Sequence, residues 1–404
     1  MLTSAKYSDN VIHSSHPVRD AIYRLDHWLG KDVLPYWAQN GFLSNGSAIE
    51  SFLPSGEADL KANKRIRVQA RQMFCCSYAH DKGWLENAAL QVHRLDEFVQ
   101  HVEINSSGMF RHVLDHQDKV IDGHVDLYDC AFFLLAYAWR YAVFSDLHAL
   151  NKANELMDSI EQRLKGSSAG WLEGDYEYQC RRQNPHMHLF EAFLALYSAT
   201  HNAKWLGYAG EIFGLFENVF YDHQAGVLRE FFSDDWQLSS SQGDIVEPGH
   251  MLEWVWLLQE YHKHTSKPVE RYCQTLYRNA LALGLDTIGN ERNNDQQSKQ
   301  HLLFDQVELK TGSSTKTKRC WPMTEWIKAS LAMAQTQPDP IPYLDDAKIA
   351  IDNLMYHFIN HAQPALYVDQ LDAKNQVINA SAPASTLYHL LMAHGETMNY
   401  LSGT

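Results

Sequence analysis

The chain has 404 residues, enough to bury a large core, with 45% apolar and 21% charged residues, the balance of a soluble globule. Its 34 basic and 49 acidic side chains leave a formal net charge of −15, which argues against nucleic acid and anionic membranes as partners. Residues 1–10 lack a hydrophobic signal region and the longest apolar run, 130–139, is too short to span a bilayer, so a cytoplasmic protein is expected.

Helix-period runs follow one another along the whole chain. They fall near 17–38, 61–80, 84–101, 127–144, 149–165, 187–200, 203–220, 248–265, 268–284, 322–336, 344–360 and 385–400, which makes twelve. Several pairs, such as 187–200 with 203–220, are joined by very short links and read as antiparallel helical hairpins. Three longer links read as small β-hairpins: 102–114 around Asn105-Ser-Ser-Gly108, 226–236, and 365–377. The polar stretch 289–300 reads as an exposed loop. Cys75, Cys76, Cys130, Cys180, Cys273 and Cys320 form no CxxC, and most lie in apolar runs, as buried free thiols do. No low-complexity linker and no strict repeat consensus divides the chain, so residues 1–404 read as one domain.

Six helical hairpins can stay open as a superhelix or close into a double ring. In the closed form alternate helices line the inside, all run the same way, and their N-termini meet at one end. The even-numbered runs are marked there by polar residues. The second holds Arg65 to Gln72, the fourth opens at Asp126 with Tyr128 and Asp129, and the sixth opens with Asn184 and His188. Glu247, His250 and Glu253 mark the eighth, Arg319, Trp321 and Glu325 the tenth, Tyr388 and His389 the twelfth. Odd-numbered runs are ordinarily amphipathic, as in 84–96. The asymmetry points to an inner ring with a polar mouth.

His250 and His389 are the sharpest candidates for chemistry, because imidazole moves protons at neutral pH. The partial positive charge of a helix start disfavours imidazolium, so a histidine there is expected to stay neutral and act as a base. The competing reading makes them hydrogen-bonded core histidines. Glu253 follows His250 at i+3 and can orient it or hold a sugar hydroxyl. Arg71 lies in an apolar helix and needs a carboxylate, carbonyls or a ligand. His186 and His188 diverge at a helix start, and no HExxH, zinc-type cysteine pair or EF-hand loop occurs, so no metal site is expected. Trp321, Trp254 and Tyr128 can stack on a sugar or simply fill the core. Glu253, Glu325, Asp129 and Glu247 keep open a paired-carboxylate glycosidase.

Taken together, 67–72 (Arg-Val-Gln-Ala-Arg-Gln), Asp126-Leu-Tyr-Asp129, Asn184-Pro-His-Met-His188 with Glu191-Ala, Glu247-Pro-Gly-His250 with Glu253-Trp254, Trp321-Pro-Met-Thr-Glu325-Trp-Ile-Lys328 and Tyr388-His389 make the chain resemble the N-acylglucosamine 2-epimerase superfamily over most of its length. The Asn-Pro-His-Met-His and Glu-Pro-Gly-His-x-x-Glu-Trp forms look most like its D-mannose isomerase branch of aldose–ketose isomerases. The resemblance implies an (α/α)6 barrel of twelve helices, a free monosaccharide as the small-molecule partner, and neither metal nor organic cofactor. It implies interconversion of D-mannose and D-fructose, with D-lyxose and D-xylulose as a related pair; a 2-epimerase on a free sugar is the alternative. By the same resemblance Arg71, Asn184, His188, Glu253 and Trp321 bind the sugar and His250 and His389 are catalytic. His389 is then expected to be the carbon base and His250 the ring-opening group, with Arg71 and His188 stabilising the enediolate oxyanion. Whether the protein is a monomer or a homo-oligomer stays open.

Overall fold

A computed structural model describes residues 16–104, 107–286 and 301–403. Among the described residues the chain forms twelve helices joined by short strands. The first, α1, runs Val18–His27, passes through a π-helical turn at Trp28–Val33 and continues as Leu34–Asn40. Then come α2 (Ile66–Asp81), α3 (Ala88–Gln100), α4 (Leu127–Phe144), α5 (Leu147–Arg163), α6 (Gln183–Thr200) and α7 (Ala203–Leu215, ending in a π turn Phe216–Phe220). The rest are α8 (Pro248–Thr265), α9 (Glu270–Gly284), α10 (Cys320–Thr336), α11 (Ile341–His357) and α12 (Ala384–Ser402). The predicted count holds, and the starts move. The second run begins late, at Ile66, because Lys64–Arg65 is a strand. The sixth begins early, at Gln183, since Pro185 is tolerated in a first turn.

Packing closes the even-numbered helices into a ring: α2 touches α4, α4 touches α6, and so on round to α12, which touches α2 again. Each of α3, α5, α7, α9 and α11 backs onto the inner helix before it, while α1 lies against α11 and α12. The result is an (α/α)6 barrel. Burial follows the layers. Every residue of α8 from Pro248 to Gln259 is buried, whereas α9 buries one stripe, Cys273, Leu276, Tyr277, Ala280 and Gly284. Five of the six cysteines are buried free thiols; Cys180 is half-buried. No helix among the described residues is long and apolar enough to cross a membrane.

The two ends of the barrel differ because the connections differ. Inner-to-outer links are tight, and Ser145, His201 and Ser266 close three of them with φ of 55°, 52° and 57°. Outer-to-inner links are long and carry the strands. Val113–Leu114 pairs with Lys64–Arg65 and with Val120–Asp122; Gln370–Leu371 pairs with Lys318–Arg319 and with Val377–Asn379. The expected hairpin at 102–114 is present as an antiparallel bridge between Glu103 and Phe110, flanked by backbone hydrogen bonds from Ile104 to Met109 and from Arg111 to Val102, with its centre partly outside the described residues, while Val113–Leu114 turns to other partners. The segment 226–236 is no closed hairpin: Val227–Leu228 pairs with Tyr221–Asp222, and Phe231–Phe232 with Arg181–Arg182. The segment 365–377 holds one strand of a hairpin that ends later, at Asn379. The stretch 289–300 lies outside the described residues.

A basic pair precedes every other inner helix: Lys64-Arg65, Arg181-Arg182 and Lys318-Arg319. The first member is buried each time. The second is the N-cap, and a loop carboxylate accepts its backbone N–H: Glu50 at 3.1 Å, Glu173 at 2.7 Å and Asp305 at 2.8 Å. The same carboxylates hold the guanidinium groups. Three long links are thus fastened to three helix starts by one recurring device.

Candidate active site

The starts of the inner helices surround a cavity of roughly 320 Å³. It is lined by Arg71 and Tyr128 from α2 and α4, Asn184 and His188 from α6, His250 and Glu253 from α8, Trp321 from α10 and His389 from α12. All seven residues expected at a sugar site therefore share one cavity. Tyr128 joins them, while Trp254 does not: its Nε1 donates to Gln183 Oε1 at 2.8 Å and its ring stacks on Phe190 and Phe216 in the core.

Trp321 stands between the two histidines. Its ring lies 4.9 Å from the His250 ring and 5.6 Å from that of His389. Gly249 makes this approach feasible, since a Cβ there would come within 2.6 Å of the Trp321 ring.

The two imidazoles are held in opposite states. His250 Nδ1 donates to Glu230 Oε2 at 3.0 Å, with Glu247 Oε2 at 3.4 Å. Burial disfavours its charge, but the carboxylates of Glu230 and Glu247 outweigh burial and raise its pKa to about 10. The expectation that a helix start keeps His250 neutral is therefore reversed, because two carboxylates within reach exceed a partial dipole charge. His389 Nδ1 donates to Glu325 Oε1 at 3.0 Å. Burial, then the charges of Arg71 and Lys328, push its pKa well below the usual imidazole value. It is neutral, and the hydrogen bond at Nδ1 leaves Nε2 with a free lone pair.

His188 is also neutral, brought to about 4 mainly by burial. Its Nδ1 donates to Glu191 Oε2 at 3.1 Å, so its Nε2 can only accept. An acceptor cannot stabilise an oxyanion, so of the two groups expected to do so, Arg71 and His188, Arg71 is the one that carries N–H donors. Arg71 donates from Nη2 to Tyr128 Oη at 2.8 Å and from Nη1 to the Ser385 carbonyl at 3.2 Å. Its guanidinium sits 3.9 Å from the Phe132 ring centre. Among the described residues no carboxylate pairs with it, and its Nε lacks a hydrogen-bond partner there. The rim arginines differ: Arg65, Arg67 and Arg319 pair with Glu50, Asp129 and Asp305.

Asn184 brings its side-chain amide to 3.3 Å from His250 Nε2, and with that ring nitrogen protonated the amide oxygen is the group that accepts from it. Glu253 is fully buried, and neither carboxylate oxygen has a hydrogen-bond partner. Burial and the neighbouring Glu325 drive its pKa well up, so it is a neutral acid with a proton to donate. Glu325 lies beneath the cavity with Lys328 Nζ at 2.6 Å and does not line it, so it forms no carboxylate pair flanking a bound sugar. Asp129 is engaged by Arg67 and His112. His186 is structural: its Nε2 accepts from the Trp171 backbone N–H at 3.1 Å.

Three acidic–histidine groups have ligand atoms close enough to hold a cation: His112 with Asp126 and Asp129, His188 with Glu191 and Glu253, and Glu253 with Glu325 and His389. Each already has a charge balance. Arg67 reaches the first, and Lys328 and Arg71 act on the other two.

Residues 48–393 match the N-acylglucosamine 2-epimerase family. The chain belongs to this family. A mannose-6-phosphate isomerase of Rhizobium meliloti (strain 1021) is 32% identical over 375 residues, covering 91% of this chain and 94% of that protein. A solved D-mannose isomerase superposes with a TM-score of 0.82 at 19% identity, covering 95% of this chain and all of the other, 100%. The cellobiose 2-epimerase of Bacillus thermoamylovorans B4167 superposes with a TM-score of 0.81 at 19% identity over 94% of this chain and 98% of its own. At such identities the two structures speak for the fold alone. As a member of the N-acylglucosamine 2-epimerase family the chain is a carbohydrate isomerase or epimerase that works on a small-molecule sugar. One partner of the cavity's residues in this family member was illegible in the sequence. Glu230, which holds His250 from behind, comes from a link between helices, and its only signal is a carboxylate between the apolar pairs Val227-Leu228 and Phe231-Phe232.

Proposed function

We infer that the protein interconverts D-mannose and D-fructose, with D-lyxose and D-xylulose as a second pair, by proton transfer through an enediolate. The observation that carries this reading is the pair of imidazoles in opposite protonation states on either side of Trp321. Charged His250 is built to protonate the ring oxygen as the hemiacetal opens. Neutral His389 has the lone pair that takes the proton from carbon 2 and returns it to carbon 1. Arg71, without a carboxylate of its own, supplies the donor for the developing oxyanion. Neutral Glu253 donates to a sugar oxygen, and Asn184, His188 and Trp321 fix the orientation of the ring. Proton transfer and charge stabilisation all come from side chains in this scheme, so it calls on no metal or organic cofactor. Buried free thiols suit a reducing compartment such as the cytoplasm.

A 2-epimerase delivers a proton to the other face of carbon 2 from a second, protonated group, and the reverse reaction needs that same group as a neutral base. His250, with Glu230 and Glu247 against it, is a poor base for that reverse step, which favours the isomerase. A free sugar is favoured over a sugar phosphate because the rim arginines are already engaged by carboxylates. The test is product analysis in deuterated water with mannose and mannose 6-phosphate offered in parallel. Fructose formed from unphosphorylated mannose is expected, labelled at carbon 1 to the extent that the proton on His389 exchanges with solvent before its return. Glucose labelled at carbon 2 would establish the epimerase instead, and turnover of the phosphate alone would remove the free-sugar assignment.

A further inference from the structure

The barrel has a second cavity, of roughly 310 Å³, at the opposite end from the sugar site. It opens between the last turns of α4, α6 and α8, where the inner-to-outer links are too short to cover it. Its walls are aliphatic, with Leu194 and Met392 among them, and two indoles, Trp139 and Trp256, stand in the lining. The acids that line it are Glu191 and Glu260. Glu260 is already paired with Lys263 at 2.7 Å. Glu191 is 3% exposed and its Oε1 has no hydrogen-bond partner, although Oε2 is held by His188 Nδ1 at 3.1 Å and by the Tyr388 hydroxyl. Burial pushes this carboxyl up, but the contact with His188, then the charge of Lys328 and the Tyr388 hydroxyl, hold it below its ordinary value. A buried, ionised oxygen without a donor is costly, and a ligand that brings one is rewarded. The Trp139 ring adds attraction for a cation with an apolar body, whereas the Trp256 ring already carries Lys328 Nζ 4.1 Å from its centre.

We propose that this lower cavity is a binding site for a small organic ammonium ion with an apolar body, and that its occupancy acts on the sugar site through Glu191 and His188. An ammonium group donating to Glu191 Oε1 draws charge away from Oε2. That weakens the hydrogen bond that fixes the His188 ring, and the sugar hydroxyl held by His188 Nε2 loses its anchor. The coupling, but not the binding, rests on the isomerase reading of the upper cavity.

The probe is cyclohexylmethylammonium, titrated calorimetrically into the whole protein without sugar, beside its neutral counterpart cyclohexylmethanol. One saturable site is expected, at least ~10-fold tighter for the ammonium than for the alcohol, since a charged hydrogen bond is roughly twice as strong as a neutral one. Ala195→Phe and Ala199→Phe, which fill the cavity from α6 one turn apart, should each weaken binding at least ~10-fold while leaving mannose turnover intact. Saturating ammonium should change the turnover number, and that change should vanish in the same two variants. Absence of saturable binding, equal affinity for the alcohol, or binding that survives both substitutions would overturn the site. Binding with unaltered turnover would overturn the coupling. A protein that binds the ammonium ion yet isomerises no sugar would refute the isomerase reading and leave the lower site standing.

Discussion

Glu230 lies 3.0 Å from His250 Nδ1, and this contact, twenty residues away in sequence, decides the protonation state of the histidine. The cavity accordingly contains a proton donor and a proton acceptor at the same pH. With His250 held at about 10 and His389 well below the usual imidazole value, both groups keep their working states from neutrality into the alkaline range. The rate is expected to be level across that span and to fall as the pH rises through about 10, where His250 loses its proton.

Glu230→Gln tests the cause of that alkaline limit. The amide cannot stabilise the imidazolium as a carboxylate does, so the folded-state pKa of His250 should drop. The descending limb should then move down by at least ~1 pH unit, with the mannose KM little changed. A limb that stays in place would mean that Glu230 does not set the charge of His250.

Removing either imidazole should lose at least ~100-fold in rate, at the low end of acid–base contributions, with the helical content unchanged. The two losses should differ in kind. In His389→Ala the C–H step becomes slower, so mannose deuterated at carbon 2 should show a larger isotope effect than with the parent protein. In His250→Ala ring opening becomes limiting, so the effect should shrink toward unity. Equal isotope effects in the two variants would end the division of labour between them.

Arg71 touches Phe132, Tyr128 and the Ser385 carbonyl at once, which is a geometry for a planar, forked cation. Arg71→Lys keeps the charge but loses the fork and the stacking. Its turnover number should fall by more than ~10-fold, the scale of one oxyanion donor being about 100-fold. Wild-type turnover in this variant would show that charge alone suffices.

The ring of helices was legible because it is written locally. Each inner helix carries apolar residues all round, each outer helix a stripe, and both follow from spacing within one run. The polar starts at Asn184, His250, Trp321 and His389 were legible for the same reason: their neighbours in sequence are apolar. What decides their chemistry was not. Glu230 and Glu325 reach the histidines across 20 and 64 positions, distances over which spacing carries no information. The neutral state expected of His250 failed on that account. The role of His188 also turned on a partner, since the bond to Glu191 converts it from donor to acceptor. The recurring basic pairs before α2, α6 and α10 left only Arg65 and Arg319 noticeable, because their carboxylates lie in different links.

Beneath the cavity the barrel axis holds Glu191 and Glu325, with Glu253 above them, around one cation, Lys328, which is fully buried. Burial works against its charge, yet the acidic neighbours raise its pKa, with Glu325 the strongest of them. Lys328→Met keeps the length and apolar stem of the side chain while removing the charge. Glu325 and Glu191 then lose their compensating charge, and breaking a buried pair in this way costs about 3–5 kcal/mol. The variant should unfold at markedly lower urea concentration. Because Glu325 also holds His389 Nδ1, its turnover should fall as well. Lys328→Met combined with Glu325→Gln removes one of the orphaned charges and should recover part of the stability without recovering the rate. A double variant no more stable than Lys328→Met alone would mean that the lysine serves packing against Trp256, 4.1 Å from its Nζ, instead of charge balance.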